Sequence, residues 1–364
     1  MISSPADLRP NTGWDETTWA WTSEESLVDH TTPARLCVAT LLPFSNGQPD
    51  WAGFERSIRW MADSAAHFGV EIAFVLNADT GYIFNLSLDL YREVIERFRA
   101  AFPDPRIICG TTAVGASGDN FNADWYRPHL EIAQAFENVE VMIMTSPQLN
   151  ALDPERRRDA YFEIAEHITA PAIIHALEPS FVPWATPYEP WLLHELANHE
   201  KFVGGKISTL DEPHFLYWSA MCRDLGLDFA PHSGDDFGIA SAIRLGNPLL
   251  IGAGVSACPL ICAARKMWLA DDDGNFDTRV YKLFEAFQSL EDSVFRLDAN
   301  GSAASYKHST AAVLKILGLI ETEEIHPDCT DSRGPGEIER MREALIRPFR
   351  VADRLEIPNF SPTI

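Results

Sequence analysis

Eight short apolar runs separated by helical patterns constrain this chain more than any other feature. They are Leu36–Leu42, Val70–Leu76, Arg106–Thr112, Val139–Thr145, Pro171–Ala176, Phe202–Ile207, Leu227–His232 and Leu249–Gly254. Strands that alternate with helices pair in parallel through right-handed crossovers. Eight βα units within about 220 residues suit a closed (β/α)8 TIM barrel better than an open sheet. A doubly wound sheet is the structural competitor, but no glycine-rich dinucleotide fingerprint follows the first run. The fold class is therefore α/β, a (β/α)8 barrel with a C-terminal helical extension.

The segments between the runs carry helical periodicity. Trp51, Phe54, Ile58, Met61 and Ala65 recur at 3-4-3-4 spacing on one face, and Leu90, Val94, Ile95 and Phe98 repeat the habit. Asp153-Pro154 predicts an N-cap followed by proline at N1. Thr186-Pro187-Tyr188-Glu189 and Thr209-Leu210-Asp211-Glu212 predict capping boxes. Three parts follow: an N-terminal extension over 1–34 with Trp14, Trp19 and Trp21, the barrel over 35–270, and a helical layer over 271–364. Within that layer helices are expected at Thr278–Leu297, Ser302–Leu319 and Gly336–Ile346.

With 53 acidic against 29 basic residues among 364, the net charge is −24. That balance argues against nucleic acid, whose phosphates need clustered Lys and Arg, and against an anionic membrane surface. Apolar residues make up 46% of the chain, ample for a large core, and no run approaches the roughly 18 apolar residues of a membrane span. No secretory leader is visible at the start, and the six cysteines form no disulfide framework. The expected location is the cytoplasm.

In such a barrel the chemistry sits where the strands end. The polar residues there are Asp79 and Thr80, Thr111 and Thr112, Thr145 and Ser146, His175, Lys206, and His232 with Ser233, Asp235 and Asp236. Lys206 stands out because it interrupts Phe202-Val203-Gly204-Gly205-Lys206-Ile207 and should enter an apolar mouth. Desolvation there would lower its pKa and free the amine to attack a carbonyl. The alternative is a lysine salt-bridged to Asp235 or Asp79 with no covalent role.

From Ala34 to about Ile320 the sequence resembles the dihydrodipicolinate synthase / N-acetylneuraminate lyase family of class I aldolases. The resemblance rests on Thr40-Leu41-Leu42-Pro43-Phe44, Thr80-Gly81 with Leu86-Ser87, Ile108-Cys109-Gly110-Thr111, Gly205-Lys206, Ser233-Gly234-Asp235-Asp236, and Lys307 with Leu317-Gly318-Leu319. It implies a lyase acting through a Schiff base between Lys206 and a keto acid or sugar-derived carbonyl compound. It also implies a homo-oligomer, tetramer or dimer, and needs no metal or organic cofactor. Asp79, Thr80, Gly81, Asp235 and Gly252 are then the substrate-binding positions.

Several departures bear on the substrate. His175 stands where the family carries a proton-shuttling tyrosine; a histidine can take over general acid–base work. Leu149 occupies the position of a second tyrosine, and Glu178-Pro179-Ser180-Phe181 offers no counterpart to the family's carboxylate-binding arginine. Asp79 replaces a hydroxyl residue in the carboxylate-gripping loop and would repel a substrate carboxylate. Neither dihydrodipicolinate synthesis nor sialic acid cleavage is therefore expected. Two other classes compete: a non-catalytic small-molecule-binding barrel, and a metal-dependent hydrolase using His175, His232, Asp235 and Asp236. Asp271-Asp272-Asp273-Gly274-Asn275 lacks the register of a calcium loop and is expected to be a solvated turn.

Overall fold

The computed structural model describes residues 35–361, apart from 117–119, 180, 183, 209–211, 225, 235, 253, 272–273, 300 and 331. The N-terminal extension, the Thr209 capping box and Asp235 therefore lie outside the described residues. Each of the eight apolar runs forms a strand: β1 (Leu36–Ala39), β2 (Ile72–Leu76), β3 (Ile107–Thr111), β4 (Val139–Ile143), β5 (Ala172–Leu177), β6 (Phe202–Ser208), β7 (Ala230–Ser233) and β8 (Leu249–Ile251). All pair in parallel, and β1 closes the barrel by pairing with both β2 and β8, through Leu36 with Ile72 and Leu249.

The first run overshoots its strand. Beyond Ala39 the chain leaves the barrel, and Phe44–Ser45 pairs antiparallel with Gln48–Pro49. The turn between them, Asn46-Gly47, has both residues at positive φ (52° and 71°), as a two-residue hairpin turn requires.

Twelve α-helices fall among the described residues. Those of the barrel are α1 (Trp51–Phe68), α2 (Leu88–Ala101), α3 (Arg127–Ala133), α4 (Pro147–Asn150), α5 (Pro154–Ala165), α6 (Pro190–Ala197), α7 (Glu212–Asp224), α8 (Ile239–Arg244) and α9 (Gly254–Trp268). Local chemistry sets their ends. Asp50 accepts from the Gly53 N–H at 2.8 Å to start α1, and Asp153 accepts from Arg156 N to start α5. The 3-4-3-4 face of α1 is buried through Phe54, Ile58, Met61 and Ala65. The capping box expected at Thr186 does not form. Helix α6 starts at Pro190, because a proline settles at N1, and the Glu189 side chain makes no capping bond.

The C-terminal layer consists of α10 (Val280–Val294), α11 (Tyr306–Ile316) and α12 (Glu337–Arg354). Helices α10 and α11 both pack on α9, and α12 covers them. Helix α12 runs past the expected end at Ile346, straight through Pro348. A proline inside a helix costs about 3 kcal/mol. Here it lies on the buried stripe Met341, Leu345, Pro348 and Ala352, whose packing outweighs the missing hydrogen bond. Glu337 anchors the first turn, taking two hydrogen bonds from Arg296 (2.8 and 2.6 Å) and one from Ser309 (2.6 Å).

The N-terminal end of the barrel is closed by charges. Buried Glu140 on β4 is shared by Arg35 (3.2 Å) and Arg106. His232 joins this cluster, with Nε2 3.3 Å from Arg35 and Nδ1 2.9 Å from the Ala230 carbonyl. The ring lies over Gly204, where a Cβ would come within 2.9 Å of His232 Cε1. The expectation of His232 at the mouth is thus corrected: the absent side chain at Gly204 lets it turn toward the opposite end. Burial, reinforced by the positive charge of Arg35, pulls its pKa down to about 3.

Candidate active site

A narrow cavity of about 10 Å³, room for about one water molecule, lies at the C-terminal ends of the strands. Strand periodicity builds two of its walls. Side chains two apart on a strand share a face, so β5 contributes His175 and Leu177 and β6 contributes Lys206 and Ser208. His175 and Lys206 are register partners on these adjacent strands. Asp79 and Thr80 follow β2, Gly234 and Asp236 follow β7, and Gly252 follows β8.

Lys206 is 7% exposed. Burial lowers its pKa from the usual lysine value, Asp236 and Asp79 pull the other way, and Lys307 adds to the lowering. Gly234 leaves the space that the lysine stem occupies: a Cβ there would approach Lys206 Cε to 2.8 Å and Ser208 Oγ to 2.7 Å. His175 is buried, with Nε2 2.9 Å from Ser208 Oγ and Nδ1 without a hydrogen-bond partner. Burial and then the charge of Lys206 hold its pKa well below the usual imidazole range, so the ring is neutral. Such a ring is a weak base in the resting site, and it can take a proton only when negative charge developing beside it offsets the burial.

On the far side stands a network that reaches in from the C-terminal layer. Tyr306, the first residue of α11, donates to Asp79 Oδ2 at 3.0 Å, and Lys307 donates to Asp79 Oδ1 at 3.1 Å. Burial opposes ionisation of Asp79, but Lys307 and Tyr306 outweigh it and keep its pKa below the usual carboxyl value. Because the single Tyr306 proton goes to this carboxylate, the 2.9 Å contact between Tyr306 and Thr80 must be donated by Thr80. The Tyr306 ring stacks on Phe295 (centroids 4.6 Å apart, 15° between planes), and Gly252 leaves room for the pair. A Cβ at Gly252 would meet Phe295 at 3.1 Å.

The structure therefore brings together Lys206, His175, Asp79, Thr80 and Gly252. Gly81 is set apart: its Cβ position faces the backbone of Asn77 and Thr40, and it does not line the cavity. Leu149 is fully buried within α4, and Phe181 lines the cavity near the place where an arginine is expected from the resemblance. Sequence reasoning missed Ser208, Phe295 and Tyr306. The first was accessible from period-two spacing after Lys206; the other two reach the barrel mouth only through the docking of the C-terminal layer. With both ring nitrogens of His232 engaged at the other end, His175 and His232 do not converge. Among the described residues no group of three or more His, Cys, Asp or Glu is arranged to hold a metal ion.

Fold and site together define a (β/α)8 barrel whose mouth holds a buried amine beside a neutral imidazole. The chain superposes on a monomeric dihydrodipicolinate synthase variant with a TM-score of 0.72 and 17% sequence identity, covering 88% of this chain and 98% of that one. The corresponding enzyme of Bacteroides thetaiotaomicron gives a TM-score of 0.70 at 15% identity, over 86% and 98% of the chains. A pyruvate complex of the Acinetobacter baumannii enzyme gives 0.66 at 20% identity, over 87% and 98%. At these identities the likeness establishes a shared fold. No protein-family profile matches the chain, and no curated protein matches it in sequence. None of the described helices is long and apolar enough to cross a membrane.

Proposed function

We propose that this protein is a lyase of the class I aldolase type, acting through a Schiff base on Lys206. The observation that carries the reading is a buried lysine with a lowered pKa at the mouth of the barrel, in register with a neutral histidine. The amine nitrogen attacks a carbonyl carbon, the carbonyl oxygen takes up protons and leaves as water, and an iminium ion remains. The iminium accepts the electron pair released when the neighbouring C–C bond breaks or when a proton leaves the adjacent carbon, and the enamine so formed can in turn expel a β-hydroxyl, which takes up a proton and leaves as water with the C–O electron pair. His175, paired with Ser208, serves as the acid–base group for these transfers. Asp79 and Thr80 position the rest of the substrate. The substitutions at His175, Leu149 and Asp79 set the reaction apart from dihydrodipicolinate synthesis and sialic acid cleavage.

The reading includes a cytoplasmic homo-oligomer, dimer or tetramer, with the barrel over 35–270 and the helical layer over 271–364; sedimentation velocity at micromolar concentration tests the assembly. The chemistry is tested by borohydride reduction in the presence of 2-oxo acids, simple aldehydes and ketoses, followed by peptide mass spectrometry. A reduced adduct at Lys206, absent in a folded Lys206→Ala variant, is the expected result. Turnover by that variant would sink the mechanism.

A further inference from the structure

We infer that the substrate is an uncharged hydroxy-carbonyl compound, and that the site discriminates against the carboxylate of a 2-oxo acid. The inference rests on the Schiff-base reading and narrows it. Its basis is the count of donors and acceptors opposite the lysine. The Tyr306 proton is given to Asp79, and the Thr80 proton is given to Tyr306. Both hydroxyl protons are spent within the protein. What the network presents to the cavity is acceptor capacity: the remaining lone pairs of the Asp79 carboxylate and of Thr80 Oγ1. A substrate hydroxyl brings the donor such a surface lacks. A carboxylate accepts only, and neither the Tyr306 nor the Thr80 hydroxyl has a proton left to give it.

Charge points the same way. Among the described residues lining the cavity, Lys206 carries the one cationic group and no arginine is present. As a nucleophile Lys206 must be neutral. The other nearby cation, Lys307, is neutralised by Asp79 at 3.1 Å. Asp236, 3% exposed, adds a further acidic side chain to the lining. A substrate carboxylate entering here would meet two acidic side chains, Asp79 with its cation alongside and Asp236. A hydroxymethyl group of the same size carries no such penalty.

Hydroxyacetone and pyruvate isolate the effect, since they differ in a hydroxymethyl group against a carboxylate beside the same ketone. Each would be trapped on the full-length protein with cyanoborohydride, which supplies the hydride that reduces the imine. The rate of adduct formation at Lys206 would be divided by the rate for the same compound on Nα-acetyl-lysine. A normalised preference of at least tenfold for hydroxyacetone is expected, and Asp79→Asn, which releases Lys307, should shrink it at least threefold. Parity or a preference for pyruvate in the unaltered protein overturns the inference while leaving the Schiff base standing. No adduct at Lys206 with either compound or with glyceraldehyde overturns the Schiff-base reading itself, and the inference with it.

Discussion

At the scale of single residues the site depends on two groups whose charged forms burial disfavours. Lys206 needs a free amine to react, and its lowered pKa extends the neutral fraction to lower pH. The rate of imine formation should therefore rise with pH and level off below the usual lysine range. A plateau reached only near the ordinary lysine pKa of about 10.4 would contradict it. His175 has a different duty. Changing His175→Ala should leave borohydride trapping at Lys206 detectable while slowing steady-state turnover on a neutral hydroxy-carbonyl substrate by about 10²–10⁴-fold, the usual share of a general acid–base group. Equal losses in trapping and turnover would assign His175 to shaping the pocket instead.

At the scale of elements, glycines and the C-terminal layer hold the pocket in shape. A Cβ at Gly234 would press on Lys206 Cε and Ser208 Oγ at under 3 Å, whereas one at Gly252 would meet its neighbours at 3.1–3.4 Å. Gly234→Ala should cost about 1–3 kcal/mol in urea unfolding and reduce trapping at least tenfold, and Gly252→Ala should do less of both. The tie between α11 and the loop after β2 is open to a double-mutant cycle. Lys307→Met leaves the part-buried Asp79 carboxylate without its cation and should cost about 2 kcal/mol. Adding Asp79→Asn should recover much of that, and additive losses would mean the pair is not coupled.

The same elements mark how far the sequence could be read. The eight strands were legible because each apolar run is bounded by helical periodicity, and Lys206 was legible because a charge inside such a run has few places to go. Strand ends, the start of α6 and the continuation of α12 were not, since proline placement and buried packing override local signals there. Tyr306 and Phe295 carried no local mark. Tyr306 lies 226 residues after Thr80, and its role exists only once α11 is docked. His232 misled because a strand residue's face depends on the neighbouring glycine as much as on its own position.

For the molecule as a whole, the two histidines on barrel strands, His175 and His232, refuse protons that the unfolded chain would take. His232, with a folded pKa of about 3, binds none at mild acidity. In the unfolded chain an imidazole titrates near 6.5, so as pH falls below that value protons favour unfolding, down to about pH 3. Each such ring withdraws about 1.4 kcal/mol of stability per pH unit within the window. His175 acts in the same direction. Urea midpoints between pH 7 and 4 should fall, and His232→Gln should flatten the decline by about that slope; an unchanged slope would show the ring protonated in the folded state.

The dependence of the barrel mouth on Tyr306 and Lys307 has an evolutionary corollary. The amine and imidazole belong to barrel strands, whose register cannot drift without disturbing the core. The residues that set the charge opposite them begin a helix outside the sheet, on a separate stretch of chain. Lineages can therefore retune what the pocket accepts by exchanging residues at the start of α11 while every strand of the barrel is inherited unchanged. Recombination between relatives within the loop before α11 would transplant that preference in one step.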